Sequence, residues 1–160
     1  MTNNYWIKQS TPDTKWTYLS AVEAFDIELS CLKRLQGIRN FPKLYSYNES
    51  DLTISMQHCG YSIKYFKKHN IKINIPNIEE QVDNIVNNLK KHNIVYVDMH
   101  LSGKNICYDS NQIYLIDYDY CILDNIIVNS NFEKLYQCWV DQNEYVGLKQ
   151  AMLSIFETTL

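Results

Sequence analysis

Apolar and polar residues alternate along the 160-residue chain in patterns that predict a short series of strands and helices. Tyr5-Trp6-Ile7-Lys8-Gln9 is an aromatic and β-branched run suited to a strand, and Pro12-Asp13 breaks it with a turn. Over 20–35, Ala21, Phe25, Leu29 and Leu32 recur at helical spacing, and Gly37 stops the helix. Residues 42–47 and 52–56 read as two strands joined by the polar turn Asn48-Glu49-Ser50-Asp51. Cys59-Gly60 punctuates the chain before a short helix over 62–68.

The third helix is the clearest. Ile78, Val82, Ile85, Val86 and Leu89 form one apolar stripe, with Pro76 near the start and Lys90-Lys91-His92-Asn93 at the end. Three short strands follow at 94–97, 105–108 and 113–116, the last two joined by the hairpin-like Asp109-Ser110-Asn111-Gln112. The tail returns to helical spacing, first through Phe132, Leu135, Tyr136 and Trp139, then through Leu148, Ala151, Met152 and Ile155. The order predicts an α+β fold in two lobes, within a single domain over 1–160.

Composition narrows the function classes. A chain of this length, with 46% hydrophobic and 21% charged residues, is expected to form one globular domain with a real core. A net charge of −3 disfavours a generic nucleic-acid surface, and Lys64, Lys67 and Lys68 read as a solvated helix face. No apolar run reaches the roughly 18 residues of a membrane span, and no basic-then-apolar leader precedes Tyr5. The five scattered cysteines lack CxxC pairing, which points to a reducing, cytoplasmic setting and small core residues. Richness in Asn, Ile, Lys and Tyr is what an AT-rich genome encodes, and a virus or phage is one such source.

Candidate chemistry is concentrated between Ile94 and Asp119. There Asp98, Asn105 and Asp117 fall at the ends of short apolar strands. Converging carboxylates and a carboxamide supply hard oxygen ligands for Mg²⁺, and a further carboxylate can accept a hydroxyl proton.

The stretch Asp98-Met99-His100-Leu101-Ser102-Gly103-Lys104-Asn105, followed by Asp117-Tyr118-Asp119, resembles the catalytic loop and metal motif of the protein-kinase-like superfamily. Its flavour is closer to the aminoglycoside-phosphotransferase-like branch, where an acidic residue commonly replaces the glycine of D-F-G. Upstream, Lys8 resembles the strand lysine of V-A-I-K, with Lys15 as a fallback, and Glu28 resembles the helix glutamate that pairs with it. Gln57, His58 and Cys59 resemble the hinge that receives adenine. The resemblance spans about residues 5–119 and implies a reduced N-lobe over 1–57 and a shortened C-lobe over 58–160. It further implies ATP and Mg²⁺ as cofactors, with Lys8 and Glu28 at the nucleotide phosphates and Asn105 and Asp117 on the metal.

The pattern also departs from that family. Only seven residues precede Lys8, and nothing resembles G-x-G-x-x-G. Asp98 and Asn105 are seven apart, about two more than in the motif, so either Asp98 or His100 fills the base position. No A-P-E motif follows, and about 40 residues remain after Asp119. Two functions stay open: a phosphotransferase with an unidentified small-molecule or other acceptor, and an inactive kinase mimic that binds a partner protein. A shortened C-lobe would leave apolar surface for that partner or for a second copy.

Overall fold

The computed structural model describes residues 4–157 and shows a mixed α+β fold of five helices and small antiparallel sheets. Strand β1 (Tyr5–Gln9) pairs with β3 (Thr53–Gln57), which also pairs with β2 (Leu44–Asn48), so β3 is the central strand of a three-stranded sheet. The register sets Lys8 opposite Ile54. Helix α1 (Ala21–Arg34) follows β1, and Ser20 starts it with a reciprocal cap. Glu23 N–H donates to Ser20 Oγ at 3.1 Å, while Ser20 N–H donates to Glu23 Oε1 at 2.9 Å. Two of the helix's orphan donors are satisfied in this way. Phe25, Leu29 and Leu32 are buried, as the spacing predicts, and Glu28 is buried beside them.

After β3 the chain forms β4 (Tyr61–Ser62), α2 (Ile63–Lys68) and α3 (Ile78–Lys91). Strands β6 (Ile106–Asp109) and β7 (Gln112–Leu115) make the expected hairpin, and β4 adds to its edge. Strand β5 (Ile94–Val95) pairs with β8 (Ile122–Leu123). The strand expected over 94–97 is therefore shorter, because Tyr96 and Val97 leave the ladder on the way to Asp98. Tyr96 is instead pinned by its hydroxyl, which donates to Ile116 O at 2.6 Å. Strands β4 and β8 are two residues each, too short for period-two patterning to reveal.

The tail folds as α4 (Ser130–Asp141) and α5 (Glu144–Ile155), and α5 packs along α3. Lys149 on α5 pairs with Asp83 at 2.8 Å on the exposed side of that contact. Buried residues from α1, β3, α3, β6, β7 and α5 belong to one continuous core. Within it, Gln81 is fully buried and makes four hydrogen bonds. Its Oε1 accepts from Asn40 Nδ2 and Ile113 N–H, both at 3.0 Å, and its Nε2 donates to Pro76 O and Asn111 O. Complete pairing of this kind is what makes a buried amide tolerable.

Cys31, Cys59, Cys107 and Cys121 are buried thiols and Cys138 is exposed, with no disulfide among them. Among the described residues, no helix is long and apolar enough to cross a membrane.

Candidate functional site

Three separate elements converge on one lysine. Lys8 Nζ lies 2.9 Å from Glu28 Oε1, 2.8 Å from Asp117 Oδ1 and 3.6 Å from Asp119 Oδ2. Strand β1 supplies the lysine, α1 the glutamate, and the segment after β7 both aspartates. Glu28 uses its second oxygen to accept from Tyr118 N–H, so one buried carboxylate ties β1 to the residue between the two aspartates. Tyr118 and Tyr96 pack edge to face behind that segment, both buried. Asp117 has φ 69, a left-handed conformation that side-chain-bearing residues adopt sparingly and that clusters at functional sites. Lys15, the fallback lysine, sits elsewhere, on a turn where its N–H donates to Asp13 Oδ1.

The loop before β6 brings in the other polar groups. Asn105 is buried, and its Nδ2 donates to Asp98 O at 2.6 Å and Asp98 Oδ2 at 3.3 Å. His100 Nε2 lies 2.8 Å from Asp98 Oδ1. Asp98 thus sits at the centre of this loop, with Asn105 on one oxygen and the more exposed His100 on the other. Between Asp98 and Asn105 the loop turns, with Gly103 N–H donating to His100 O at 3.0 Å. Gly103 has φ +80, and a Cβ there would meet Ile63 Cβ at 2.8 Å, so only glycine lets the loop settle against α2. Ile116 N–H donates to Asn105 O at 3.0 Å, which fixes this loop against the start of the Asp117 segment.

Protonation follows from this crowding. Burial alone would depress the Lys8 ammonium, but the facing carboxylates outweigh it and raise its pKa, so the charge is held. Burial pushes Glu28 upward, against the pull of Lys8. Asp117 is lowered: burial opposes ionisation there, and Lys8 overcomes it. Asp119 is pushed up to about 8, by burial first and then by its hydrogen bond to Asp117. The two aspartates therefore share one proton near neutral pH, as adjacent carboxylates do. Asp98 is raised by burial and by the Asp117 charge, with His100 partly offsetting both.

The aspartate pair has the donor chemistry of a Mg²⁺ site. One ammonium faces three carboxylates, and Asp119 Oδ1 is buried without a hydrogen-bond partner. A divalent cation would take the place of the shared proton and engage that oxygen. Among the described residues no group of three His, Cys, Asp or Glu side chains is arranged as a metal cage. Mg²⁺ commonly needs only one or two carboxylates, with waters and substrate phosphates completing its shell. Asp117 and Asp119 supply two such carboxylates, while the Asn105 amide meets Asp98.

Gln57, His58 and Cys59 line a separate small cavity of about 200 Å³, with Trp6 and Met56 on one side and Cys107 and Ile116 on the other. Ile116, on its wall, immediately precedes Asp117 in the chain. One backbone donor of the segment is already used, since His58 N–H donates to Asn4 O at 3.1 Å.

Two features of the site go beyond the roles assigned from sequence. Asp119, quoted in the Asp117-Tyr118-Asp119 motif without a role of its own, belongs to the cluster. The second feature is the turn at 13–19. There the Asp13 carboxylate accepts from the N–H groups of Lys15, Trp16 and Thr17 and from Thr17 Oγ1. Burial would raise the Asp13 carboxyl, but these bonds hold it well below the usual range. Asn129 Nδ2, at the start of α4, donates to Thr17 O at 2.8 Å and clamps the turn over the Asp98 loop. Pro12-Asp13 announced a turn but not its destination.

The chain matches no protein-family model and no curated protein sequence.

Proposed function

We propose that the chain is a minimal ATP- and Mg²⁺-dependent phosphotransferase of the protein-kinase-like fold. The carrying observation is Lys8, which contacts both the buried Glu28 of α1 and Asp117 after β7. A lysine oriented by a helix glutamate, and placed beside a metal-binding aspartate, is the arrangement that phosphoryl transfer in that fold requires. In this reading 1–57 is a reduced N-lobe and 58–160 a shortened C-lobe.

Lys8 leaves Asp117 to contact the α- and β-phosphates, while Glu28 keeps it aimed. Asn105, through the Oδ1 left over by its bonds to Asp98, and Asp117 would hold Mg²⁺. Bound there, the ion neutralises charge on the phosphate oxygens. The cavity beside Gln57, His58 and Cys59 takes the adenine edge. Asp98 orients the acceptor hydroxyl and receives its proton, while His100 steadies Asp98 from its other oxygen. The raised pKa of Asp98 suits a proton acceptor, because a base gains proton affinity as its pKa climbs.

Thermal stability with and without Mg·ATP tests this reading, repeated in Asp117→Asn. A ligand that binds the folded state raises the midpoint by mass action. A Mg²⁺-dependent rise that is lost in the variant, with γ-phosphate label transferred to an acceptor, supports it. No shift at millimolar nucleotide sinks it.

A second reading, a kinase mimic that acts by binding, is favoured by one feature. Strand β1 is a sheet edge on which Tyr5, Trp6 and Ile7 are 48%, 43% and 56% exposed. An apolar edge of this kind is a template for another chain's strand.

A further inference from the structure

Asp98 lines a cavity of about 700 Å³, within the size range of small-molecule sites, and Lys8 is not on its wall. The clamped 13–19 turn and helix α4 form its two walls. Trp16, Met99 and Leu135 make it largely apolar. Trp16 is 77% exposed, the most exposed large apolar side chain among the described residues, and the Asp13 turn holds it at the cavity mouth. Tyr120 presents a second ring. The turn that carries this indole is pinned at Asp13 by four hydrogen bonds, and the exposed ring is a platform for another flat group.

The charged lining is one-sided. Besides Asp98 and His100, the cavity wall carries two lysine side chains, Lys104 and Lys134. Neither makes an ion pair among the described residues. The Lys104 charge favours ionisation of both Asp117 and Asp98, although burial and the Asp117 charge leave Asp98 raised on balance. Lys134 enters the lining from α4. It is left to meet whatever occupies the space beyond Asp98.

We propose that this cavity is the acceptor site, and that it takes a small hydroxylated aromatic anion. The ring lies against Trp16, the anionic group meets Lys134, and the hydroxyl points at Asp98. The assignment of Asp98 as the proton acceptor rests on the phosphotransferase reading, whereas the recognition of a flat anion does not. In the transfer the hydroxyl oxygen forms a bond to the γ-phosphorus of the nucleoside triphosphate. The bond from that phosphorus to the β–γ bridging oxygen breaks, a nucleoside diphosphate leaves, and the hydroxyl proton passes to Asp98. A polycationic amino sugar is disfavoured, because two unpaired ammonium groups would face it.

Calorimetric titration without nucleotide tests the recognition by itself, using three probes of one shape and different charge. These are para-hydroxyphenylacetate, the neutral para-hydroxyphenylethanol, and the cationic tyramine. The acid binds at least about tenfold more tightly than tyramine, one ion pair's worth of preference. Lys134→Glu abolishes or reverses that order, and Trp16→Ala weakens all three probes by about tenfold, the contribution of one aromatic contact. The thermal midpoint of each variant confirms that it is folded. Tyramine binding as tightly as the acid overturns the proposal, as does an unchanged order in Lys134→Glu. Absence of saturable binding by any of the three at millimolar concentration overturns it as well. Anion binding without a Mg·ATP shift would retire the phosphotransferase reading and leave this site standing; the converse would retire only this site.

Discussion

Lys8 Nζ and Glu28 Oε1 lie 2.9 Å apart across 20 residues of sequence, and this contact joins the edge strand β1 to the buried face of α1. Glu28 is 1% exposed, so its carboxylate depends on Lys8 and Tyr118 N–H for compensation. Removing the lysine leaves a buried acid short of its counter-charge. Lys8→Met is expected to cost about 3 kcal/mol in urea unfolding, the scale of a broken buried pair. The double variant Lys8→Met/Glu28→Leu should recover part of that loss, because the Glu28 charge is gone while Asp117 still lacks its ammonium. Equal instability of the single and double variants would mean that the pair contributes nothing beyond packing.

Asp98 and His100 are separated by variants rather than by position alone. Asp98→Asn keeps a hydrogen-bonding group for Asn105 and His100 but cannot take a proton. Transfer of γ-phosphate is expected to fall about 100-fold or more, the usual range for a lost general base. His100→Ala should lower it far less, because the histidine only supports Asp98. Both variants should keep the Mg·ATP-induced thermal shift, since neither holds nucleotide. A larger loss in His100→Ala than in Asp98→Asn would hand the base position to the histidine.

Much of this arrangement was legible in the sequence, and the limits have physical causes. The apolar stripes on α1 and α3 are local signals, so their bounds fall close to prediction. The pairing of Lys8 with Glu28 was expected only from the resemblance to the protein-kinase-like pattern, and the contact of Lys8 with Asp117 was not foreseen. Strands β4 and β8 were not readable either, since two residues carry no periodicity. The turn at 13–19 was hidden for a different reason. Its fold is local, set by Asp13, but its position depends on Asn129, more than a hundred residues away. The contact of Asn105 with Asp98, on which the proposed role of Asp98 leans, is likewise not specified by spacing.

The buried amide Gln81 gives a prediction about the core itself. Gln81→Leu is close in volume but strands the donors Asn40 Nδ2 and Ile113 N–H and the acceptors Pro76 O and Asn111 O. Asn40 keeps one further bond, to Ile113 O at 2.8 Å, so the loss is partial there. An expected cost of about 3 kcal/mol follows from leaving several buried groups unsatisfied. The urea midpoint should drop with an unchanged slope. A cost below about 0.5 kcal/mol, ordinary for a surface change, would show that water reaches these groups.

Cys59 and Cys107 set the alkaline behaviour. Burial pushes both thiols up to about 12, and at Cys59 the neighbouring Cys107 and Asp109 add to it. A folded pKa above the unfolded value favours the protonated, folded state. That contribution is complete below the unfolded thiol pKa of about 8.5 and is lost as pH rises through the folded value. Stability should therefore fall steadily from about pH 9 toward pH 12, because the unfolded chain releases these protons first. Tyr145, also raised to about 12 by burial, adds to the same slope. Urea midpoints measured between pH 9 and pH 11 should decline less in Cys59→Ala/Cys107→Ala than in the parent chain, because two of the contributing groups are gone. At pH 8 the exposed Cys138 should be alkylated first by iodoacetamide, as read by mass spectrometry. An identical pH slope in the double variant, or early labelling of Cys59, would show that these thiols ionise as exposed ones do.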